Sequence, residues 1–301
     1  MNKIICPNCG SGNVKEHLSL KDYFLTQDPF TIYECVNCKV LFTYPFPETD
    51  ILYSKYYKSE NYLSHNKKAS GLFSKLYRSV QKINIRKKLR LLESVNQSGE
   101  KKILEVGAGV GDFLAACRNN GWNCFGVEPS EQAIQVAKQF NNLNLADSIN
   151  KIGESDFSVI TLWHVLEHIP DLDSTIQKLK TFLSDNGRLI IAVPNHNSFD
   201  ANHYKQFWAG YDVPRHLYHF NKKSLTSIMQ SKGFELIRTR PMVFDSFYVS
   251  LLSEKYKHTN LVISYLKGFW NGLISNIASV FTKESSSIIF IFQKRGEVKQ
   301  Q

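Results

Sequence analysis

Two Cys-x-x-Cys pairs open the chain, Cys6-Pro7-Asn8-Cys9 and Cys35-Val36-Asn37-Cys38. Each pair forms a knuckle that can present two thiolates to one ion at tetrahedral geometry, and four sulfur ligands leave no open coordination position. Cys6, Cys9, Cys35 and Cys38 are therefore expected to hold a structural Zn2+, not a catalytic one. A second set lies in Ile103-Leu104-Glu105-Val106-Gly107-Ala108-Gly109-Val110-Gly111-Asp112, which reads as a strand, a glycine-rich turn and a helix start. Glycines let the backbone turn tightly and approach a ligand, and a helix N-terminus offers amides to a negative group. A carboxylate or phosphate should sit there. A dinucleotide fingerprint needs Gly or Ala where this chain has Asp112, which argues against NAD or FAD. Glu128 ends the next apolar run, about twenty residues after the first glycine, where an acidic side chain can grip both hydroxyls of a ribose. The ligand should thus combine an anionic end with a ribose.

Candidate acid-base groups fall in two places. His164, Glu167 and His168 follow the apolar run 157–163, and His196, His203, His216 and His219 share one connection with Tyr211, Asp212, Arg215 and Tyr218. Histidine titrates where a general base should. His216 is the first choice as catalytic base and His168 the second; hydrogen-bonded pocket histidines are the plainer reading of the same residues. Cys117 and Cys124 have no paired spacing and are given no role.

The elements that must position these groups follow from periodicity. Short apolar runs at 103–106, 123–127, 143–146, 157–163, 188–193, 234–240 and 288–294 alternate with helical patterns near 111–120, 130–140, 171–184 and 222–232. Such alternation is the signature of a parallel sheet flanked by helices. Ahead of it stand a strand- and turn-rich unit, 1–47, and a segment, 48–100, with Tyr53, Tyr56, Tyr57, Tyr62 and a basic amphipathic helix from Gly71 to Val95. The catalytic domain is read as 101–301, with a helical cap insert at 241–287. The connection 194–221 is long for a compact domain, and loops of that length are usually functional.

Glu105 to Gly111, Glu128 and Trp163-His164-Val165-Leu166-Glu167-His168-Ile169-Pro170-Asp171 together resemble the motifs of class I S-adenosylmethionine (SAM) dependent methyltransferases. The resemblance implies an α/β, Rossmann-like sheet of seven strands, the last antiparallel, with SAM across the strand ends and in-line transfer of its methyl to a nucleophile. It implies that Glu105, Gly107, Ala108, Gly109 and Gly111 hold the methionine part, Glu128 the ribose and Asp147 the adenine amine, while the backbone at His164 closes over the cofactor. The segment at 164–168 is similar to that of the ubiquinone-biosynthesis O-methyltransferases, whose carboxylates and histidine are linked to a divalent cation. His164 replaces a Glu of that pattern, which counts against the cation here. Cys35 to Tyr57 resembles the zinc-ribbon region of a bacterial subgroup of sugar and small-molecule methyltransferases, implying that ribbon and tyrosines pack on the catalytic domain and shape the acceptor pocket.

In 301 residues, 43% are hydrophobic and 13% aromatic, so a sizeable core is expected, and the net charge of +10 favours acidic partners. The first residues lack an export signal and no run is long enough to span a bilayer, so the expectation is a soluble, cytoplasmic protein. Within the insert, Leu266, Phe269, Trp270, Leu273, Ile274, Ile277 and Phe281 fall on one helix face, with Lys267, Asn271, Ser275 and Ser279 opposite. A cap over the active site is expected from it; a membrane surface touched through 261–281 is the other reading. The leading function is methylation of a small-molecule acceptor, a hydroxyl of a sugar, nucleotide-linked sugar or glycan precursor, with no obligate protein partner implied. An RNA methyltransferase using ribbon and basic helix is the rival. Leu162-Trp163-His164-Val165 lacks the Pro-Pro-aromatic motif of base-amine methylation, and no Pro-Cys nucleophile follows, so nucleic acid is disfavoured. A non-catalytic SAM-binding protein is the third class, and the intact glycine motif speaks against it.

Overall fold

The computed structural model describes residues 3–57, 72–97, 99–258 and 260–296. Tyr62 and Gly71 lie outside the described residues, as do the side chains of Tyr53, Leu72, Lys75, Leu76 and Arg78.

A six-stranded sheet forms the centre, from β4 (Lys102–Val106), β5 (Asn123–Val127), β6 (Phe157–Trp163), β7 (Leu183–Pro194), β9 (Phe234–Pro241) and β10 (Ser287–Lys294). Its order is β5-β4-β6-β7-β10-β9, and β10 runs antiparallel to both neighbours. This is the Rossmann-like α/β sheet that the sequence predicts, with one difference. The expected strand at 143–146 pairs only through a single parallel bridge from Ala146 to Val127. Asn144 and Leu145 make no ladder bond, and the run has only four residues in which to establish one.

All seven residues of β6 are buried, as a strand covered on both faces requires. Alternate residues serve alternate faces. Leu104, Ile160 and Leu189 join the core under helices α4 (Leu172–Phe182) and α6 (Lys222–Ser231), while Ile103, Val159 and Ile190 join the core under α1 (Leu72–Val95) and α2 (Asp112–Arg118). Helix starts follow the capping chemistry of the sequence: Asp171 accepts from Ser174 N at 3.0 Å ahead of α4, and Asn221 and Ser224 form a capping box at α6. Helix α3 (Glu131–Asn141) is capped by Ser130 and ends on Asn142 in the left-handed region.

The N-terminal strands β1 (Val14–Lys21), β2 (Pro29–Cys35) and β3 (Leu41–Tyr44) make an antiparallel sheet whose fourth strand is β8 (Tyr218–His219), from the long connection. That connection is not structureless. It contains helix α5 (Phe199–Tyr204) as well as β8. The insert 241–287 holds two helices, α7 (Asp245–Tyr256) and α8 (Leu261–Thr282), which pack on each other. The apolar face of α8 is not a core face: Phe269, Trp270, Ile274, Ile277 and Phe281 are exposed, and Ser275, expected on the outer side, is buried. The periodicity located a stripe but not the side it faces.

Candidate active site and metal centre

The first knuckle closes with Gly10 N donating to Cys6 O and the second with Lys39 N donating to Cys35 O, both at 2.9 Å. Gly10 and Lys39 each follow a Cys-x-x-Cys pair and each has positive φ, which brings both pairs round to face one another. The sulfurs of Cys6 and Cys38 are 3.7 Å apart and those of Cys9 and Cys35 are 3.5 Å apart. With a metal–sulfur bond near 2.3 Å, the edge of a tetrahedron is about 3.8 Å. The four thiols form a cluster of the size a single ion needs.

The glycine turn after β4 carries Gly107, Gly109 and Gly111 at φ of 72°, 55° and 77°, a region L side chains rarely adopt. A Cβ at Gly107 would lie 2.3 Å from Cγ2 of Val165, whereas at Gly109 it would meet nothing within 4 Å. The turn therefore packs tightly on one side and opens on the other. Contrary to the expectation of amides free for a ligand, the amides of Gly107, Ala108 and Gly109 are taken. Gly107 N and Ala108 N donate to Val127 O, and Gly109 N donates to Oε2 of Glu128 at 2.8 Å. The negative group at this turn is the protein's own Glu128, whose Oε1 also accepts from Ser130 N. Burial pushes the Glu128 carboxyl up while these amides pull it down, leaving it above the ordinary value.

Glu105 is buried, and its Oε2 has no hydrogen-bond partner among the described residues. Burial pushes its carboxyl up to about 8, against the pull of Lys88. Lys88 projects from α1 onto the Trp163 ring, 4.3 Å from its centroid. Asp147 lies just past the Ala146 bridge and pairs with Lys151 at 2.6 Å in solvent.

His164 has φ of 56° and is held from both sides: Nε2 lies 2.8 Å from Asp245 Oδ2, and Nδ1 lies 3.3 Å from Glu167 Oε1. Burial works to lower its pKa, but the Asp245 and Glu167 carboxylates outweigh burial and raise it to about 10. The ring is an imidazolium at neutral pH. Asp245, the first residue of α7, carries no local sequence signal and was not anticipated.

The two candidate bases come together. The rings of His168 and His216 meet edge to face at 4.6 Å. Nδ1 of His168 lies 2.9 Å from Arg215 O, and Nδ1 of His216 lies 2.8 Å from Gly210 O. A carbonyl only accepts, so in both rings Nδ1 carries a proton and Nε2 is the nitrogen that can give one up or lack one. Tyr57 Oη also reaches His168 Nδ1, at 2.9 Å. Burial and His216 lower the His168 pKa to about 4, so that ring is neutral. Neither carboxylate oxygen of Glu167 makes a hydrogen bond among the described residues, although the residue is buried. Glu167, His168 and His216 offer ligand atoms within 4.8 Å of one another, a second group able to hold a cation. The sequence supplied Glu167 and His168; only folding adds His216. His196, His203 and His219 do not join this group.

Beside Asp245, a cavity of about 340 Å³ runs between α1 and the end of β9, lined by Lys87, Lys88, Arg90, Arg240, Met242 and Phe244 among others. Lys87, Arg90 and Arg240 make no ion pair with a described carboxylate. The cavity thus joins cationic and apolar walls.

A family model described as a methyltransferase domain matches residues 76–239. The ubiquinone biosynthesis O-methyltransferase of Idiomarina loihiensis is 24% identical over 182 residues, 56% of this chain and 75% of that protein. Those of Histophilus somni and Glaesserella parasuis are 25% and 32% identical, over 40% and 32% of this chain. The chain spans 56% and 46%, about half, of the length of those two relatives. Magnesium protoporphyrin IX methyltransferase from Synechocystis PCC 6803, solved with SAH, superposes with a TM-score of 0.52 at 14% identity, covering 82% of this chain and 97% of that one. That likeness is one of fold.

Proposed function

We propose, from the premise that this chain belongs to the methyltransferase domain family and is a SAM-dependent enzyme, that it methylates a hydroxyl of a small molecule, a sugar or glycan precursor that carries an anionic group. The observation that carries this reading is the meeting of His168 and His216 beside Glu167, which is linked through His164 to Asp245 in the wall of a cavity with cationic sides. Oxygen as the accepting atom agrees with the names of the curated relatives. An anionic acceptor, such as a nucleotide-linked sugar, suits Lys87, Arg90 and Arg240. The sugar class itself rests on the likeness of Cys35 to Tyr57 to the ribbon of sugar-modifying enzymes.

SAM supplies a methyl group on a positively charged sulfur. The unpartnered Oε2 of Glu105 and the open side of Gly109 fit its methionine end. Glu128 would exchange the Gly109 amide for ribose hydroxyls, Asp147 would turn from Lys151 to the adenine amine, and the backbone at His164 would close the site. His216 then takes the acceptor proton on Nε2, with His168 packed against its ring. Such an enzyme mainly aligns two reactants in line and supplies a base.

A second reading has its own observation. The buried Glu167 carboxylate, ion-paired to His164 but without a hydrogen bond among the described residues, and the Nε2 atoms of His168 and His216 form a ligand set whose outer nitrogens are fixed by backbone carbonyls, as metal-bound histidines usually are. A divalent cation held there would polarise the acceptor hydroxyl. The His164 replacement need not remove that cation, because His216 offers a ligand from elsewhere in the chain. For the cysteines the proposal is a structural zinc ion that fixes the N-terminal sheet.

The deciding experiment is mass spectrometry of small molecules and glycans from cells with and without the protein, followed by SAH release with the acceptor so found. A lost methyl on a hydroxylated, anionic small molecule supports the reading. A salt-sensitive affinity for RNA with an unchanged small-molecule pool would overturn it in favour of RNA methylation. His216→Ala should lower kcat by about 10²–10⁴-fold with SAM affinity unchanged if it is the base. Loss of turnover in chelator, restored by added divalent cation, would instead support the second reading.

A further inference from the structure

Helix α8 packs inside out. Its buried residues are Ser264, Gly268, Gly272 and Ser275, while Val262, Trp270 and Phe281 are 67%, 58% and 80% exposed. The small residues are required where they stand. A Cβ at Gly268 would lie 2.7 Å from Cα of Leu251, and one at Gly272 would lie 2.8 Å from Cα of Phe247. The backbones of α7 and α8 therefore meet directly. Polar bonds fix the rotation of α8: Ser275 Oγ donates to Asp200 Oδ1 at 2.7 Å, and Asn271 donates to Tyr204 Oη at 2.8 Å. The helix cannot roll its apolar face inward without driving Phe269 or Trp270 into a seam that has no room for a methyl group.

Small residues four apart at a close helix contact, with large apolar residues on the far side, is how helices pack where the surroundings are lipid. No described helix is long and apolar enough to cross a membrane. A helix of this kind lies in the interface plane. The exposed charge around the face is basic: Lys267 is the one charged residue of α8 and Lys255, Lys257 and Lys283 flank the helix, while of the neighbouring carboxylates Glu254 is buried and Glu284 is half-buried and bonded by Asn195.

We propose that the outer face of α8 docks this protein on an anionic lipid surface. Tyr265 and Trp270, both exposed, are of the types that settle at headgroup level. Anionic headgroups would neutralise the lysines. A second copy fits less well, because a two-fold contact presents the patch to itself and would gather the lysines of both copies around one interface, with no exposed carboxylate among the described residues of this face to offset them.

Trp270 makes the test direct: Trp122, Trp163 and Trp208 are buried, so it is the one exposed tryptophan. The full chain is floated with phosphatidylcholine vesicles made with and without phosphatidylglycerol. Expected are co-flotation with the anionic vesicles only, a blue shift of tryptophan emission on binding, and a several-fold loss of binding at high salt. The double variant Phe269→Glu, Phe281→Glu should stop floating while melting as the wild type does. If that variant melts early, Lys267→Glu is the second measurement, and it should weaken flotation several-fold. The proposal is overturned if the wild type does not float with anionic vesicles, or if both variants float undiminished. It is also overturned if light scattering finds a lipid-free dimer that the double variant splits, since the face would then belong to a second copy.

Discussion

Arg215 reaches back 193 positions to Asp22, Nη2 to Oδ1 at 2.8 Å, with both side chains buried. The same guanidinium bonds Asp212 at 2.6 Å and the carbonyl of Tyr56 at 3.2 Å. Asp22 in turn accepts from the amides of Phe24, Leu25 and Thr26, so one carboxylate closes the β1–β2 turn and neutralises a cation of the histidine connection. This contact and the β3–β8 pairing lock the N-terminal sheet to the segment that carries His216.

Asp22→Ala should therefore destabilise the whole protein. Removing one partner of a buried ion pair costs about 3–5 kcal/mol, because the other charge stays buried. Asp212 softens the loss, which puts the expected value at the lower end of that range. Denaturant unfolding followed by circular dichroism measures it, and a loss below about 1 kcal/mol, the scale of an exposed pair, would show that Arg215 finds another partner.

The His164 clamp sets a pH signature. Its folded pKa, near 10, stands above the ordinary 6.5. The proton is held more tightly in the folded state, so the stabilisation is fully present below about pH 6.5 and is lost as pH rises from there through 10. Asp245→Asn removes the nearer carboxylate. The stability gap between wild type and variant should be widest near pH 6 and shrink steadily above it. Urea midpoints across pH 6 to 10 test this, and a gap that widens with pH would show that the ring is not charged.

Glu128 is the next test. A carboxylate that exchanges one amide for ribose hydroxyls contributes charge-assisted hydrogen bonds worth about 1.5–3 kcal/mol each. Glu128→Ala should weaken SAM binding by about tenfold or more, as measured by calorimetry. Glu128→Gln should recover part of the loss, since an amide oxygen can still accept from a ribose hydroxyl. Equal SAM affinity in all three proteins would remove Glu128 from the cofactor site.

The glycine turn and Glu128 were legible because their signals are local: three glycines and two acids in fixed register with two strands. The same holds for the convergence of the four cysteine thiols, which spacing alone foretells. Asp22, Asp245 and Lys88 were not legible as site residues, because their partners lie 193, 81 and 75 positions away at Arg215, His164 and Trp163. The α8 face was misread for a different reason. Hydrophobic periodicity gives a stripe and its width, and only Gly268 and Gly272 against the α7 backbone reveal that the stripe points outward.

The cysteine cluster gives the last prediction. Cys35 ends β2, is fully buried, and its carbonyl and sulfur both accept from the second knuckle, at Lys39 N and Cys38 N. If one zinc ion fills the cluster, Cys35→Ser should lose the metal and loosen β2 and β3, the strands that meet β8. Because β8 borders His216, the damage should pass from the ribbon to the acceptor side while leaving Glu105 and Glu128 untouched. The expected result is one zinc per wild-type chain by elemental analysis and none in the variant. The variant's Tm should be lower by about 5 °C or more, the shift that a loss of roughly 2 kcal/mol gives in a domain of this size, and SAM affinity should be retained. A metal-free wild type with the same melting curve as Cys35→Ser would mean that the four thiols converge without an ion, and that the β3–β8 pairing and the Asp22–Arg215 pair hold the sheet in place by themselves.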